Sequence, residues 1–318
     1  MGPSRQLVVI ADDFGIGPDT DRGILELAAG GLVTGTTLLV NSPHAPAAVT
    51  AWNRAGRPLD LGWHPNLTLD QPILPAARVP SLVRSDGTFW PLGAFIRRSL
   101  LGRMNPAEVA AELAAQHRRF VDMVGATPRV VNSHQHASLF RPVTRVLFDL
   151  LAARADRPFV RRVREPWGLL ARVPGARVKR VVLNHLGRRQ ARDLDRAGFP
   201  GCDWLAGVTD PPFVTDARFH ARWLAHTPGR AVELMCHPGY HDLTLVGRDA
   251  VADDAFVQRR VDELALFRRP ELPDLIRAAG FALTRPSDLG APNAEPGGVS
   301  RRTIRPTGRP SPCPPARA

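Results

Sequence analysis

The chain has 318 residues, of which 44% are hydrophobic and 23% are charged, a composition typical of a soluble globular enzyme. Its formal net charge is +12 at pH 7, but the arginines that carry it are scattered along the chain, so we expect no specific nucleic-acid partner. No apolar run is long enough to span a membrane, and the three widely spaced cysteines show neither metal-binding nor redox spacing, so we expect a cytoplasmic protein with reduced thiols.

Short apolar runs alternate with amphipathic segments along most of the chain. The predicted strands are 7–10, 36–40, 59–63, 129–132, 159–163, 202–205, 231–236 and 281–284. The predicted helices are 18–29, 44–55, 106–124, 142–155, 177–197, 216–226, 254–267 and 272–279. Because strands that alternate with helices form parallel sheets, we expect an α/β fold: a distorted or incomplete β/α barrel of seven to eight mostly parallel strands.

Two segments depart from this alternation. Residues 68–101 carry several prolines and a turn at 85–87, a pattern that predicts a long excursion over one face, such as a lid or a substrate loop. From about residue 290 the chain consists mainly of Pro, Gly, Arg and Ser, with too little apolar surface to fold. We therefore expect one catalytic domain, 1–289, followed by a disordered Pro/Arg-rich tail, 290–318.

Side chains that can carry chemistry recur at the carboxyl ends of predicted strands. Asp12 and Asp13 follow the first strand. The third, fourth and seventh strands are followed by His64, His134 and His237. In a parallel barrel these strand ends share one rim, so residues that are distant in sequence converge there. Two or three histidines with a carboxylate form a common catalytic metal site that leaves a position open for water.

Each of these patterns also has a purely structural interpretation. The pair Asp12-Asp13 alone could be a polar exit from a strand, and arginine pairs such as Arg161-Arg162 are expected on solvated edges. A lone histidine more often lies on the surface or in the core than on a metal. On that ground we assign structural roles to His44, His117, His185, His220 and His226. His136 stays ambiguous, because it would point away from His134 if the strand continued.

Four segments together resemble the YdjC-like carbohydrate deacetylases, in matching order and spacing over roughly residues 6–290. The segments are Ala11-Asp12-Asp13-Phe14-Gly15, Gly62-Trp63-His64-Pro65-Asn66-Leu67-Thr68, Asn132-Ser133-His134-Gln135-His136 and Glu233-Leu234-Met235-Cys236-His237-Pro238-Gly239-Tyr240. This family includes chitooligosaccharide deacetylases and a hopanoid-biosynthesis branch. Two departures lie near the expected substrate: Ser138 stands where many relatives carry a third alternating histidine, and Pro65 where many carry an aliphatic residue.

The resemblance implies a barrel-like β/α fold, a divalent metal, Mg²⁺ or Zn²⁺, and a role for each strand-end residue. It implies that Asp13, His64 and His134 hold the metal. It also implies that Asp12 is the general base and His237 the acid.

The expected reaction is metal-assisted hydrolysis of the amide of an acetylated amino sugar, either chitooligosaccharide-like or a glycolipid. The metal lowers the pKa of a bound water, Asp12 takes the water proton, and His237 protonates the departing amine. Tryptophan faces could also stack on sugar rings, although each fits ordinary packing equally well. The expected substrate contacts are His136, Trp63, Trp90, Arg164 and Glu165.

Two other functions remain open. Another metal-dependent hydrolase, such as a phosphoesterase, could use the same scaffold, although a two-metal site would need more carboxylates at the strand ends. A non-catalytic carbohydrate-binding or nucleic-acid-binding protein is the second alternative, and the presence of both aspartates and all three strand-end histidines argues against it. The expected partner is a small acetylated amino sugar, and the sequence leaves a homodimer open.

Overall fold

The structure, a computed structural model, describes residues 5–248 and 255–289. The strands are β1 (Arg5–Phe14), β2 (Gly35–Leu38), β3 (Asp60–Trp63), β4 (Val130–Val131), β5 (Phe159–Val160), β6 (Trp204–Ala206), β7 (Ala231–Cys236) and β8 (Phe281–Leu283). The helices are α1 (Pro18–Ala29), α2 (Ala45–Arg54), α3 (Leu92–Leu100), α4 (Pro106–Val124), α5 (Val143–Ala152), α6 (Trp167–Arg172), α7 (Arg177–Arg196), α8 (Phe219–His226), α9 (Ala255–Phe267) and α10 (Leu272–Ala278).

All strand pairs in these ranges are parallel, in the order β5-β4-β3-β2-β1-β7-β6, with β8 also paired to β1. The strands at the two ends of this order, β5 and β6, are not paired with each other. Two backbone hydrogen bonds nevertheless connect these strands and the residues next to them, from Val160 N–H to the Pro200 carbonyl (2.9 Å) and from Leu205 N–H to the Arg164 carbonyl (2.9 Å). The sheet therefore curls into an incomplete barrel, which confirms the predicted fold class.

The central strand β1 is longer than the sequence pattern predicted. It pairs with β7 along one edge, while its other edge pairs first with β8 and then with β2. Every residue from Leu7 to Phe14 is buried. Because this pairing reaches Phe14, Asp12 and Asp13 lie inside the last part of the strand rather than in the loop after it.

Two helices were not expected from the sequence. The segment 68–101, predicted to be irregular, contains α3, and α6 follows the end of β5. Both are short, and each is preceded by a proline that resembles a loop signal. The helix α4 begins as predicted, with the Asn105 side chain accepting a hydrogen bond from Ala107 N–H (2.9 Å), and Gly125 ends it at φ 72°. The predicted tail, 290–318, lies outside the described residues.

None of the helices in the described ranges is long and apolar enough to cross a membrane. Cys202 and Cys236 are buried and form no disulfide, and Cys313 lies outside the described ranges.

The close approach of β3 to β4 requires a glycine at position 62. A Cβ on Gly62 would overlap the carbonyl oxygen of Val130, which is backbone and cannot rotate away. We therefore expect Gly62→Ala to lower the free energy of unfolding by about 1–3 kcal/mol, measured by denaturant titration. As a control, Gly93→Ala meets no atom within 4 Å, so that variant should be neutral or stabilised by up to about 1 kcal/mol. Equal stability of the two variants would contradict this packing argument.

Candidate metal and catalytic centre

Three predicted metal ligands meet at the carboxyl ends of β1, β3 and β4. The Oδ1 atom of Asp13 lies 3.2 Å from His64 Nε2 and 2.9 Å from His134 Nδ1. The three candidate ligand atoms lie within 4.8 Å of one another, and all three side chains are buried. Among the described residues this is the one cluster of three His, Cys, Asp or Glu side chains close enough to share an ion.

The local backbone conformation orients Asp13 and ends the strand direction at His134. The register of β1 against β2 shifts between Ala11 and Phe14, and within this irregularity Asp13 adopts φ 66°, a left-handed conformation that aspartate tolerates better than most residues. The chain also turns immediately after His134, because Gln135 and His136 adopt φ of 50° and 55° inside a 3₁₀ segment. The strand therefore does not continue, so the alternation that made His136 ambiguous does not apply.

A hydrogen bond to Asn132 fixes the orientation of the His64 ring. His64 Nδ1 lies 2.8 Å from the Asn132 carbonyl oxygen, an acceptor that requires the proton on Nδ1. The lone pair of Nε2 is then directed at Asp13, as a metal ligand needs. Asn132 also donates from its side-chain Nδ2 to Asp12 Oδ1 (2.8 Å), so one residue contacts both halves of the site.

The donor set suits a divalent cation. Two imidazole nitrogens and one carboxylate oxygen are typical of a catalytic zinc site with an open position, and Mg²⁺ is the other ion that the sequence predicted. Burial alone would raise the pKa of Asp13, but Arg260 and His134 lower it well below its usual value. Asp13 is therefore ionised and ready to bind a cation at neutral pH.

Asp12 is not part of this cluster and forms an ion pair with Arg161. The guanidinium donates from Nη1 to Oδ2 (2.6 Å) and from Nη2 to Oδ1 (2.8 Å), while its Nε donates to Glu233 Oε1 (2.6 Å). Burial raises the pKa of Asp12, but the attraction of Arg161 outweighs it and brings the pKa to about 2. Burial raises the pKa of Glu233 to about 7 despite the same arginine.

The expectation that Arg161-Arg162 lies on a solvated edge is wrong, because both side chains are buried. Arg162 donates to the carbonyls of Val160 (2.6 Å) and Phe199 (2.7 Å) at the open edge of the sheet. The sequence pattern extended this strand to residue 163 and so placed Arg161 inside it, whereas the structure ends β5 at Val160 and puts Arg161 directly after the strand.

His237 directly follows β7 and also lies near Asp12. Its Nε2 is 3.9 Å from Asp12 Oδ2, and its backbone N–H donates to the Glu263 carboxylate of α9. Burial lowers the pKa of His237 to about 4. The side chain is therefore neutral at pH 7 before substrate binds, and it must gain a proton before it can donate one.

The structure separates the predicted substrate contacts into two groups. Trp63 is 0% exposed and packs edge-on against His117 at 5.5 Å, so the prediction that it stacks on a sugar is wrong. Glu165 is also buried, and its Oε2 accepts from Arg180 Nη2 (2.7 Å), which fixes the start of α7. This ion pair explains Glu165 as a structural residue.

Three predicted contacts remain compatible with substrate binding. Arg164 is partly exposed, pairs with Asp195 (2.9 Å) and lies over the Trp204 ring. Trp90 is half-buried beneath the Arg98 guanidinium. His136 is buried near Asp12, and burial lowers its pKa well below the usual value, so it is neutral. Their contact with a sugar stays a prediction.

Comparison with known proteins extends over nearly all of the described chain. The family model described as YdjC-like protein matches residues 6–278. A chitooligosaccharide deacetylase of Klebsiella pneumoniae (strain 342) is 30% identical over 282 residues, covering 88% of this chain and 97% of that protein. A carbohydrate deacetylase of Mus musculus is 32% identical over 299 residues, covering 90% of this chain and 96% of that protein.

One solved structure shares the fold closely. It is the crystal structure of an Enterococcus faecalis V583 protein that carries the provisional name cellobiose-phosphate cleavage protein. It superposes with a TM-score of 0.68 at 26% identity, covering 90% of this chain and 99% of that chain.

We expect His64→Ala and His134→Ala each to abolish stoichiometric binding of a divalent ion, because each removes one of three donors. Metal content after dialysis, measured by elemental analysis, tests this, with circular dichroism confirming the fold. His226→Ala is the matched control, since His226 is exposed on α8 and should leave metal content unchanged. Full metal content in both His64→Ala and His134→Ala would refute the ligand assignment.

Proposed function

The chain belongs to the YdjC-like protein family, and on that premise we propose that it is a metal-dependent hydrolase that removes the N-acetyl group from an acetylated amino sugar. The names of its relatives, chitooligosaccharide deacetylase and carbohydrate deacetylase, support this reaction. The observation that carries the proposal is that two adjacent carboxylates contact different partners. Asp13 faces the two histidines, and Asp12 faces Arg161 and His237.

The residues that would hold the metal are Asp13, His64 and His134. When bound there, a divalent ion supplies Lewis-acid activation of a water and polarisation of the acetyl carbonyl. The metal identity, Mg²⁺ or Zn²⁺, stays a prediction of the sequence.

Asp12 is proposed as the base. Arg161 holds both of its oxygens, which keeps the carboxylate ionised and fixes its orientation. With a pKa of about 2, Asp12 is a weak base in the resting protein, so its role as base requires a water whose own pKa has been lowered. The same low pKa ensures that the base is available at every physiological pH.

His237 is proposed as the acid. An amine leaves an amide only if its nitrogen is protonated as the C–N bond breaks, and His237 Nε2 lies 3.9 Å from Asp12 Oδ2. That separation allows the proton that Asp12 gains to reach His237 after a small movement. Glu263 accepts the His237 backbone N–H and so fixes this part of the loop after β7.

No observation favours the alternative of a two-metal phosphoesterase, since the candidate cluster within the described ranges contains a single carboxylate. The cytoplasmic location and a homodimer remain predictions.

The first test is acetate release from N-acetylglucosamine oligomers by metal-reconstituted protein. Asp12→Asn should bind the metal normally but lose activity by about 10²–10⁴-fold, because an amide cannot accept the water proton. Glu233→Gln is the matched control, since it removes the other carboxylate on Arg161 without touching Asp12, and it should change activity by less than about tenfold. Wild-type activity in Asp12→Asn would exclude its role as base.

The second test concerns the leaving group. His237→Ala should lose about 10²–10⁴-fold in rate on an N-acetyl sugar, because the amine must be protonated as it departs. Nitrophenyl acetate needs no such proton, so its hydrolysis should fall much less, with metal content unchanged. Equal losses on the amide and on the activated ester would show that His237 binds the metal or the oxyanion instead.

A further inference from the structure

The two oxygens of Asp13 have different partners, and the mechanism above uses only one of them. Oδ1 faces His64 Nε2 and His134 Nδ1. Oδ2 accepts a hydrogen bond from Arg260 Nη2 at 2.7 Å. Both side chains of this ion pair are buried, at 3% and 6% exposure. Arg260 comes from α9, which contributes no metal-ligand candidate to the cluster.

We propose that Arg260 is a positioning residue that keeps Asp13 a one-oxygen metal ligand. By engaging Oδ2 it leaves only Oδ1 directed at the two histidine nitrogens. The proposal rests on the metal site described above, but not on the identity of the substrate or on the deacetylation reaction.

A carboxylate with both oxygens free can bind a metal differently from one whose second oxygen is already engaged. An ionised aspartate can bind one cation through both oxygens, which raises the coordination number. A site with more oxygen donors and higher coordination suits Mg²⁺ or Mn²⁺, whereas few donors that include imidazole suit Zn²⁺. Since Arg260 occupies Oδ2, the protein restricts the ligand number and shifts the site towards the second kind of ion.

Charge acts in the same direction. The Arg260 guanidinium offsets part of the negative charge that Asp13 would otherwise present to a cation. A cation beside a partly neutralised carboxylate keeps more of its own charge, and it would therefore polarise a bound water more strongly. Arg260 thus favours a reactive ion over a tightly held one.

The fold anchors α9 so that Arg260 can reach the site. The carbonyl of Arg260 accepts from Gly239 N–H (3.0 Å), in the loop after β7. Three residues further along the helix, Glu263 accepts from the His237 backbone N–H and from Arg259 Nε (2.6 Å). One face of α9 therefore contacts Asp13 through Arg260 and the His237 loop through Glu263, which fixes the two relative to each other.

The test replaces Arg260 with methionine, which matches its length but has neither charge nor donor. In the Co²⁺-loaded protein, visible absorption reports the coordination number, and its intensity falls as ligands are added. We expect Arg260→Met to retain Co²⁺ with weaker visible absorption. The ratio of Mn²⁺ to Zn²⁺ affinity, measured by calorimetry, should rise at least about tenfold. Arg260→Lys keeps a cationic donor for Oδ2 and should restore both readouts towards the wild type.

Arg259→Ala is the matched control. Arg259 is the buried neighbour on the same helix, but it contacts Glu263 and the Thr209 carbonyl rather than Asp13. Its removal should leave the Co²⁺ spectrum and the metal ratio unchanged. If Arg260→Met does not fold, Arg260→Gln serves in its place and is expected to give a smaller change in the same direction.

Three outcomes would overturn the proposal: an unchanged spectrum and metal ratio in Arg260→Met, the same change in Arg259→Ala, or loss of metal from a folded Arg260→Met. The first would mean that Arg260 leaves Asp13 when metal binds. Failure of the proposed function is distinguishable, because a wild-type protein that releases no acetate from any sugar can still give the expected metal readouts.

Discussion

Two adjacent carboxylates, Asp12 and Asp13, are buried at the end of the central strand, and the surrounding residues are arranged to keep both of them ionised. An unpaired carboxylate in such a place would cost several kcal/mol, on the order of the whole stability of a domain. Each is instead paired with its own arginine, Asp12 with Arg161 after β5 and Asp13 with Arg260 on α9. The pKa of each carboxylate is therefore lower than usual despite burial.

This pairing also gives the two adjacent carboxylates different surroundings. At the register shift near the end of β1, Asp13 faces the histidines, while Asp12 faces Arg161. Asn132 then links the two sides, because its amide donates to Asp12 and its carbonyl oxygen accepts from His64. A change at any one of these groups would leave a buried polar atom without its partner, so the site is expected to respond as a unit rather than residue by residue.

The incomplete barrel makes this arrangement possible. Since β1 lies at the middle of the sheet, strand ends from β3 and β4 approach it from one side and that of β7 from the other. The open edge between β5 and β6 is occupied by the buried Arg162 and by loop backbone. Arg161, which pairs with Asp12, immediately precedes Arg162 in the chain. The segment at the open edge of the barrel therefore also places a positive charge next to Asp12.

The sequence by itself determined the order of strands and helices, the parallel sheet, and which residues stand at the strand ends. These follow from local patterns: apolar period, capping residues such as Asn105, and polar residues after apolar runs. On that basis Asp13, His64 and His134 could be selected, and the structure brings them together. The same reasoning missed α3 and α6, whose preceding prolines resemble loop signals.

Only the tertiary structure decided which charges are buried and what each one faces. The roles of Arg161 and Arg260 depend on contacts across 149 and 247 residues of chain, which no local pattern encodes. The same is true of Trp63, whose aromatic ring suggested sugar binding until its strand was placed in the core. Local sequence fixes which way a segment folds, but the partner of a buried charge depends on which distant segments the fold brings beside it.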